Sequence, residues 1–257
     1  MGDLLFDHIA QLHGDRSWAS VLDAGTGRHS LKWVRSLPTE RWVAVTADRD
    51  MARSVETDAT GEGPLREGDR VVLGDWTDAT LLAGERFDVV LADYLLGAVD
   101  GFAPYFQHRL FERLARHVAG RLYVVGLEPL PDRPVNEAER VVTDIARMRD
   151  ALLLLCRERP YREFPLEWVR HHVERAGLRV VSEQRFRNVL GHGWVDRQLD
   201  MCARRVARLP DESLRAPMAA SVEELRARGH AVCDAHNGLR CGWDHVLAAE
   251  WRPHPVP

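Results

Sequence analysis

The sequence predicts an α/β fold: a seven-stranded, mostly parallel sheet with helices on both faces and a helical cover from the C-terminal half. Short apolar runs alternate with helical patterns through the first half of the 257-residue chain. The runs lie roughly 20 to 30 residues apart, which leaves room for the crossover helices that connect parallel strands. They are apolar on both faces, as a sheet buried between helices requires.

The individual elements follow from these patterns. Strands are predicted in the first half at 19–23, 42–46, 70–73, 87–91 and 121–125. In the second half, helical patterns cover about 136–157, 165–176, 194–208 and 221–230, and strands are predicted at 178–182, extending toward 189, and at about 245–251. Ser221 and Glu224 have the spacing of a capping box that begins the last helix. The last predicted strand follows two helices, and such a connection fits a sheet with an antiparallel strand at its edge.

A chain of this length can be built around one core, so we expect a single domain over residues 1–257. The segments 130–160 and 190–240 have helical patterning but are not part of the regular alternation of strands and helices that predicts the parallel sheet. They are therefore predicted to form the cover over a binding site.

Composition excludes several classes of protein. The net charge is −4, whereas nucleic-acid-binding proteins usually carry an excess of basic residues. No apolar run approaches the ~18 residues of a membrane helix, and the N-terminus lacks the basic region of a signal peptide. The four cysteines form no Cys-x-x-Cys pair and are too sparse for a disulfide scaffold. We therefore expect a cytoplasmic protein with no nucleic-acid or membrane partner.

The first candidate binding motif is a strand, a glycine turn and a helix, with the sequence Val-Leu-Asp-Ala-Gly-Thr-Gly at 21–27. Gly25 and Gly27 let a ligand approach the backbone closely, and the following helix N-terminus offers unpaired N–H groups. The dinucleotide-binding pattern Gly-x-Gly-x-x-Gly requires a third glycine at position 30, where this chain has Ser30.

Acidic residues follow the next predicted strands. Asp48, after the second strand, can accept hydrogen bonds from ribose hydroxyls. The alternative is that Asp48 or Asp50 caps the next helix, and both interpretations can hold for neighbouring acids.

The third and fourth strands also end in polar and aromatic residues. The Asp75 carboxylate can accept a hydrogen bond from an adenine amino group, and the Trp76 indole can cover the ring. The alternative for this pair is a simple turn with a core tryptophan. Asp93 and Tyr94 end the fourth strand, where an open α/β sheet binds its ligands.

Together, these four strand ends resemble those of class I S-adenosylmethionine (SAM)-dependent methyltransferases, which have a Rossmann-like fold. The resemblance covers about residues 1–130, 160–190 and the last strand. It implies SAM as the cofactor and the following cofactor-binding residues: Asp23, Gly25, Gly27, Asp48, Asp75, Trp76 and Asp93. In this resemblance Asp93 holds the amino end of the methionine portion. The family's first motif usually has a third glycine where this chain has His29.

We therefore expect an enzyme that transfers a methyl group from SAM to an O, N or S atom of a small molecule. Asp93-Tyr94 is followed by Leu95-Leu96, so the Asn/Asp-Pro-Pro-Tyr pattern of DNA and protein amide N-methyltransferases is absent. Tyr94 is a candidate for orienting the acceptor, and His192 is the candidate base because imidazole titrates near neutrality. Packing under the sheet edge for Tyr94, and an exposed turn position for His192, are the alternatives.

Besides a nucleic-acid methyltransferase, against which the net charge and the missing amide-type motif count, two other functions remain open on the sequence alone. One is a non-catalytic SAM-binding protein, because a fold never proves activity. The other is an NAD-dependent oxidoreductase on a related Rossmann fold, which should show the third glycine of the turn. Cysteine and histidine residues also crowd between His230 and His245, but their spacing matches no standard zinc pattern, and no metal site is predicted.

Overall fold

The structure is a computed structural model that describes residues 4–61 and 65–251. Its strands, in chain order, are β1 (Ser20–Asp23), β2 (Arg41–Thr46), β3 (Arg70–Leu73), β4 (Phe87–Asp93), β5 (Val118–Leu127), β6 (Leu178–Leu190) and β7 (Leu239–Trp251). Its α-helices are α1 (Leu4–His13), α2 (Arg28–Ser36), α3 (Arg49–Gly61), α4 (Leu95–Phe102), α5 (Gln107–Ala115), α6 (Glu137–Leu155), α7 (Leu166–Arg175), α8 (His192–Val206) and α9 (Arg215–His236). The predicted strands and helices are all present, with shifted ends.

The strands form one seven-stranded sheet in the order β3-β2-β1-β4-β5-β7-β6. Neighbouring strands among β1 to β5 pair in parallel, which confirms the predicted βαβ arrangement. The register places Asp23 of β1 opposite both Ala44 of β2 and Leu91 of β4. The carboxyl ends of these strands therefore meet at one edge, where an α/β sheet binds ligands.

The position of the last strand corrects one expectation. The last strand was expected at the edge of the sheet. In the structure β7 instead lies between β5 and β6, and β6 is the outermost strand. Burial gives the physical reason, because Val246 to Ala249 of β7 are completely buried, as an interior strand covered on both faces requires. Most residues of β6 are partly or fully exposed, which suits an edge.

The start of α9 corrects a second expectation. The helix begins at Arg215 rather than at Ser221, so the predicted capping box lies inside it. The Asp211 side chain instead accepts a hydrogen bond from the Ser213 N–H, at 2.9 Å, and begins a short 3₁₀ turn that leads into α9. Pro217 falls in the first turn of the helix, where proline is tolerated because its missing N–H has no intrahelical partner.

The contacts divide the chain into two compact units. The first comprises residues 1–127, 163–185 and 245–257, and the second comprises 128–162 and 186–244. The segments predicted as a cover, 130–160 and 190–240, fall entirely in the second unit. Their role as a cover and the single-domain prediction both stay predictions.

Each unit has its own apolar core. The first core is built on the sheet and includes buried residues of α4, α5 and α7. The second is built from α6, α8 and α9. Gly229 of α9 allows close packing on α8, because a Cβ there would lie 2.8 Å from Cγ1 of Val195. Across the described ranges, no helix is long and apolar enough to cross a membrane.

Candidate functional site

The glycine turn after β1 is fixed by its backbone. The Ala24 N–H donates to the Leu91 carbonyl, and the Thr26 N–H donates to the Val45 carbonyl, both at 2.8 Å. These two bonds tie the turn to the strands on either side of β1. The turn is therefore held in one conformation by its neighbours in the sheet.

The two glycines of the turn have different surroundings. A Cβ on Gly25 would lie 2.8 Å from Cδ1 and 2.9 Å from Cβ of Leu95, so this glycine is required by the close approach of α4. Apart from its neighbours in the chain, a Cβ on Gly27 would meet no atom of the described residues within 4 Å. Gly27 has φ −127° and ψ 175°, a conformation open to any residue. The fold does not explain Gly27, but the approach of a ligand would.

Ser30 is a buried part of this turn that the sequence interpretation treated only as a missing glycine. Its Oγ accepts the Gly27 N–H at 3.0 Å and lies 2.8 Å from Oδ2 of Asp23, to which it donates. A glycine at this position could make neither bond. The signal that could have identified Ser30 is its position at the third residue of α2, from which a side chain can reach back to the N-cap N–H, as in a capping box.

His29, at the position of the family's usual third glycine, points away from the core. It is exposed, and its ring stacks on Phe6 of α1 with centroids 5.3 Å apart. Phe6 also stacks on Trp33, with centroids 4.4 Å apart. Position 29 therefore accepts a side chain, because that side chain packs along α1 rather than into the turn.

Asp23 is completely buried at the end of β1. Burial raises the pKa of its carboxyl to about 6, and the nearby Thr26 and Ser30 hydroxyls oppose the rise. Its Oδ1 has no hydrogen-bond partner within the part of the chain that the structure describes. A buried carboxylate oxygen without a partner is costly, and a cationic or N–H-bearing ligand would relieve that cost.

Asp48 follows β2 and does cap α3, as the alternative interpretation predicted. Its Oδ1 accepts the N–H groups of Asp50 and Met51, at 2.7 and 3.0 Å. Its Oδ2 has no partner among the described residues and remains available as an acceptor. Capping orients the carboxylate, so the structural role and the predicted ribose contact are compatible.

The turn after β3 has a similar internal arrangement. Oδ1 of Asp75 accepts the Thr77 N–H at 2.8 Å, and the carboxyl group is partly exposed. Trp76 is only 3% exposed and belongs to the core of the first unit. This burial favours the alternative of a core tryptophan over an indole that covers adenine.

Asp93 and Tyr94 lie at the end of β4. Asp93 is partly exposed and opposite Val125 of β5. Tyr94 has φ +47° and ψ 18°, a left-handed conformation that is uncommon for a bulky residue. Its N–H donates to the Val125 carbonyl at 3.0 Å, and the residue is 36% exposed. Such backbone outliers cluster at ligand sites, which is consistent with the predicted contact of Tyr94 with the acceptor.

The structure brings Asp23, Gly25, Gly27 and Asp93 to one edge of the sheet by strand register. Asp48 and Asp75 begin the loops at the same edge, since Thr46 of β2 is opposite Leu73 of β3. All of these residues belong to the first unit.

His192 belongs to the second unit, as the first residue of α8. Its Nε2 lies 3.0 Å from Oδ1 of Asp234, and its ring centroid is 4.8 Å from that of His230. His230 in turn lies 2.9 Å from Oδ1 of Asp196. The sequence interpretation missed these carboxylate partners, because they come from helix positions far along the chain. The role of His192 as a base stays a prediction.

The crowded cysteine and histidine residues are divided between α9 and β7. Within residues 4–61 and 65–251, no group of three or more histidine, cysteine or acidic side chains could hold a metal ion. His245 lies within β7 rather than at its start, and a Cβ on Gly126 would meet its Nε2 at 2.5 Å.

Solved structures share this fold. A candidate methyltransferase from Bacillus halodurans C-125 has a TM-score of 0.62 and 16% identity, covering 98% of this chain and 100% of that one. A SAM-dependent methyltransferase from Geobacter sulfurreducens, in complex with S-adenosylhomocysteine, has a TM-score of 0.52 and 15% identity, covering 96% and 90%. The cyclase SpnF has a TM-score of 0.55 and 16% identity, covering 97% and 81%.

No family model matches the sequence, and no curated protein matches it. At such identities the likeness establishes the fold alone. The cyclase shows that this fold also occurs in a protein with a different reaction, so the function has to be argued from the site.

Proposed function

We propose that this protein is a SAM-dependent methyltransferase that acts on a small molecule. The observation that carries the proposal is the set of strand ends at one edge of the sheet. There the Gly27 backbone borders open space, and carboxylates follow β1, β2, β3 and β4. A nucleoside with an amino-acid extension matches this set, because it offers hydroxyl, amino and ammonium donors along its length.

The residues present fit such a cofactor in two respects. The space beside Gly27 is one that a side chain would fill, and the buried Oδ1 of Asp23 lacks a protein partner in the described chain. Asp48 would accept from the ribose hydroxyls, Asp75 from the adenine amino group, and Asp93 from the ammonium group. When bound, SAM supplies an electrophilic sulfonium methyl group.

The contribution of the chain is mainly to orient the two reactants and to exclude water. Tyr94 would orient the acceptor at the end of β4. His192 would take the acceptor's proton, if the acceptor arrives protonated, and Asp234 would stabilise the resulting imidazolium. Neither residue is needed to hold the cofactor.

Calorimetric titration of the purified protein with SAM, S-adenosylhomocysteine and NADH tests the cofactor. We expect SAM and S-adenosylhomocysteine to bind and NADH to give no signal. Binding of NADH alone would favour the oxidoreductase, and binding of none of the three would refute the proposal.

A second measurement tests catalysis. Release of S-adenosylhomocysteine is followed with pooled small molecules that carry hydroxyl, amine or thiol acceptors, and each active pool is then divided. The expected result is turnover with one acceptor class. Tight SAM binding with no turnover in any pool would instead identify a non-catalytic SAM-binding protein.

A further inference from the structure

A buried indole connects two of the turns at the candidate site. Trp76 follows β3, and its Nε1 donates a 2.7 Å hydrogen bond to the carbonyl of Ala24 in the turn after β1. Trp76 is 3% exposed and Ala24 is 1% exposed, so both atoms of the bond are shielded from water. A hydrogen bond in such surroundings has a well-defined geometry, and losing either partner is costly.

The bond spans a strand rather than joining neighbours. In the sheet, β2 lies between β3 and β1, so no backbone ladder connects the two turns directly. Ala24 immediately precedes Gly25, and Trp76 immediately follows Asp75. The indole therefore joins the glycine turn to the residue predicted to bind adenine.

We infer that Trp76 is a positioning residue that sets the distance between the glycine turn and Asp75, and so the length of ligand that the site accepts. The inference rests on the proposed function. Trp76 acts through the Ala24 carbonyl and not by contact with the ligand. A ligand that spans both turns depends on this distance, whereas a shorter ligand that reaches only the Asp75 turn does not.

The test compares Trp76→Phe with a matched variant, Trp251→Phe. Trp251 also donates an indole hydrogen bond to a backbone carbonyl, that of Val118 at 2.8 Å, but at the start of β5 and away from the glycine turn. Calorimetry measures the affinities of S-adenosylhomocysteine and adenosine for the wild type and both variants. Thermal unfolding of each protein is measured in parallel.

For Trp76→Phe we expect roughly a tenfold loss of affinity for S-adenosylhomocysteine, because binding would then have to restore the spacing of the two turns that the indole bond holds in the wild type. The loss for adenosine should be much smaller. Trp251→Phe should bind both ligands like the wild type. Equal losses for the two ligands in Trp76→Phe, or no loss, would overturn the inference and leave the proposed function standing.

A second variant covers the case in which Trp76→Phe does not fold. Incorporation of β-(3-benzothienyl)alanine at position 76 keeps a bicyclic ring of similar size and replaces the N–H group with a sulfur atom that cannot donate. The same affinity difference is expected, and wild-type affinities in this protein would overturn the inference. Failure of the wild type to bind S-adenosylhomocysteine would refute the proposed function and this inference together.

Discussion

The two glycines of the turn provide a sharp test, because the fold requires one of them and a ligand would require the other. The perturbation is alanine at Gly25 and, separately, at Gly27. In Gly25→Ala the new methyl group would lie 2.8 and 2.9 Å from Leu95 carbon atoms, well inside ordinary van der Waals contact. Leu95 is 8% exposed and begins α4, so its Cβ cannot rotate away. Such overpacking costs about 1–3 kcal/mol of unfolding free energy.

Gly27→Ala should leave the folded state almost unchanged. Apart from the chain neighbours of residue 27, the methyl group would meet no atom of the part of the chain that the structure describes within 4 Å. Alanine is a poorer helix N-cap than glycine by about 0.5–1 kcal/mol. The reduced freedom of the unfolded chain returns about 0.4–1 kcal/mol. The two contributions nearly cancel, so the unfolding free energy should stay close to that of the wild type.

Binding should respond differently from stability: Gly27→Ala, which leaves the unfolding free energy nearly unchanged, should weaken the binding of the cofactor. The Gly27 methyl group would occupy the space that we assign to the cofactor, so the affinity for S-adenosylhomocysteine should fall by about tenfold or more, since each 1.4 kcal/mol is tenfold. Denaturant unfolding and calorimetric titration measure the two quantities on the same samples.

Gly191→Ala is the matched control for this experiment. Gly191 is also an N-cap glycine, with φ −106° and ψ −175°, and it also has open space around it. It precedes α8 in the second unit, so alanine there should change neither stability nor affinity appreciably. The reasoning is refuted if Gly27→Ala binds S-adenosylhomocysteine like the wild type, or if it destabilises the protein as much as Gly25→Ala.

Three further predictions concern carboxylates and the predicted catalytic residues. The pKa of Asp23 is raised from 3.8 to about 6 in the folded protein. The folded state therefore binds this proton more tightly, and unfolding free energy should fall by about 3 kcal/mol as pH rises from about 4 to about 6. Asp23→Asn should flatten that part of a pH series of urea titrations, and an unchanged slope would contradict the assignment. Asp48→Ala should lose about 1 kcal/mol of stability with its cap, and also affinity for S-adenosylhomocysteine. Asp50→Ala is its control, because that side chain is 93% exposed, and equal binding losses in both variants would argue against a ribose contact. Tyr94→Phe and His192→Ala should lower methyl transfer to an identified acceptor while cofactor affinity stays intact, and near-normal turnover in both would move the acceptor site elsewhere.

The sequence predicted the sheet well because its signals are local. The strands β1, β2 and β4 contain short apolar runs, Val21-Leu22, Trp42 to Val45 and Val89 to Ala92, and acidic residues or glycine end or follow these strands. The place of β7 in the sheet could not be predicted in this way. Strand order depends on whether β6 or β7 pairs with the open edge of β5, and no local pattern in residues 239–251 encodes that choice.

The site residues named from the sequence stay predictions, and the structure shows why some of their local contacts could not be foreseen. Asp48 was predicted as a cap or as a ligand contact; its Oδ1 makes the cap, and the ligand contact stays a prediction. Trp76 was given a ligand role, although its indole bonds to Ala24, since periodicity does not tell where a side chain points in a turn. From the sequence, Ser30 is only an absent glycine. Its hydrogen bonds with Asp23 and Gly27 depend on how the turn folds, which the residue pattern does not specify.

The insertion of β7 between β5 and β6 has a consequence for how the chain acquires its structure during synthesis. Every other strand of the sheet emerges from the ribosome before β7 does, yet β6 has no neighbour in the sheet until β7 arrives. Until then β5 presents an open edge with unpaired backbone groups, a surface prone to pairing with other chains. The nascent protein therefore passes through an aggregation-sensitive state that ends only when the final strand is released, and shortening the chain within β7 would make that state permanent.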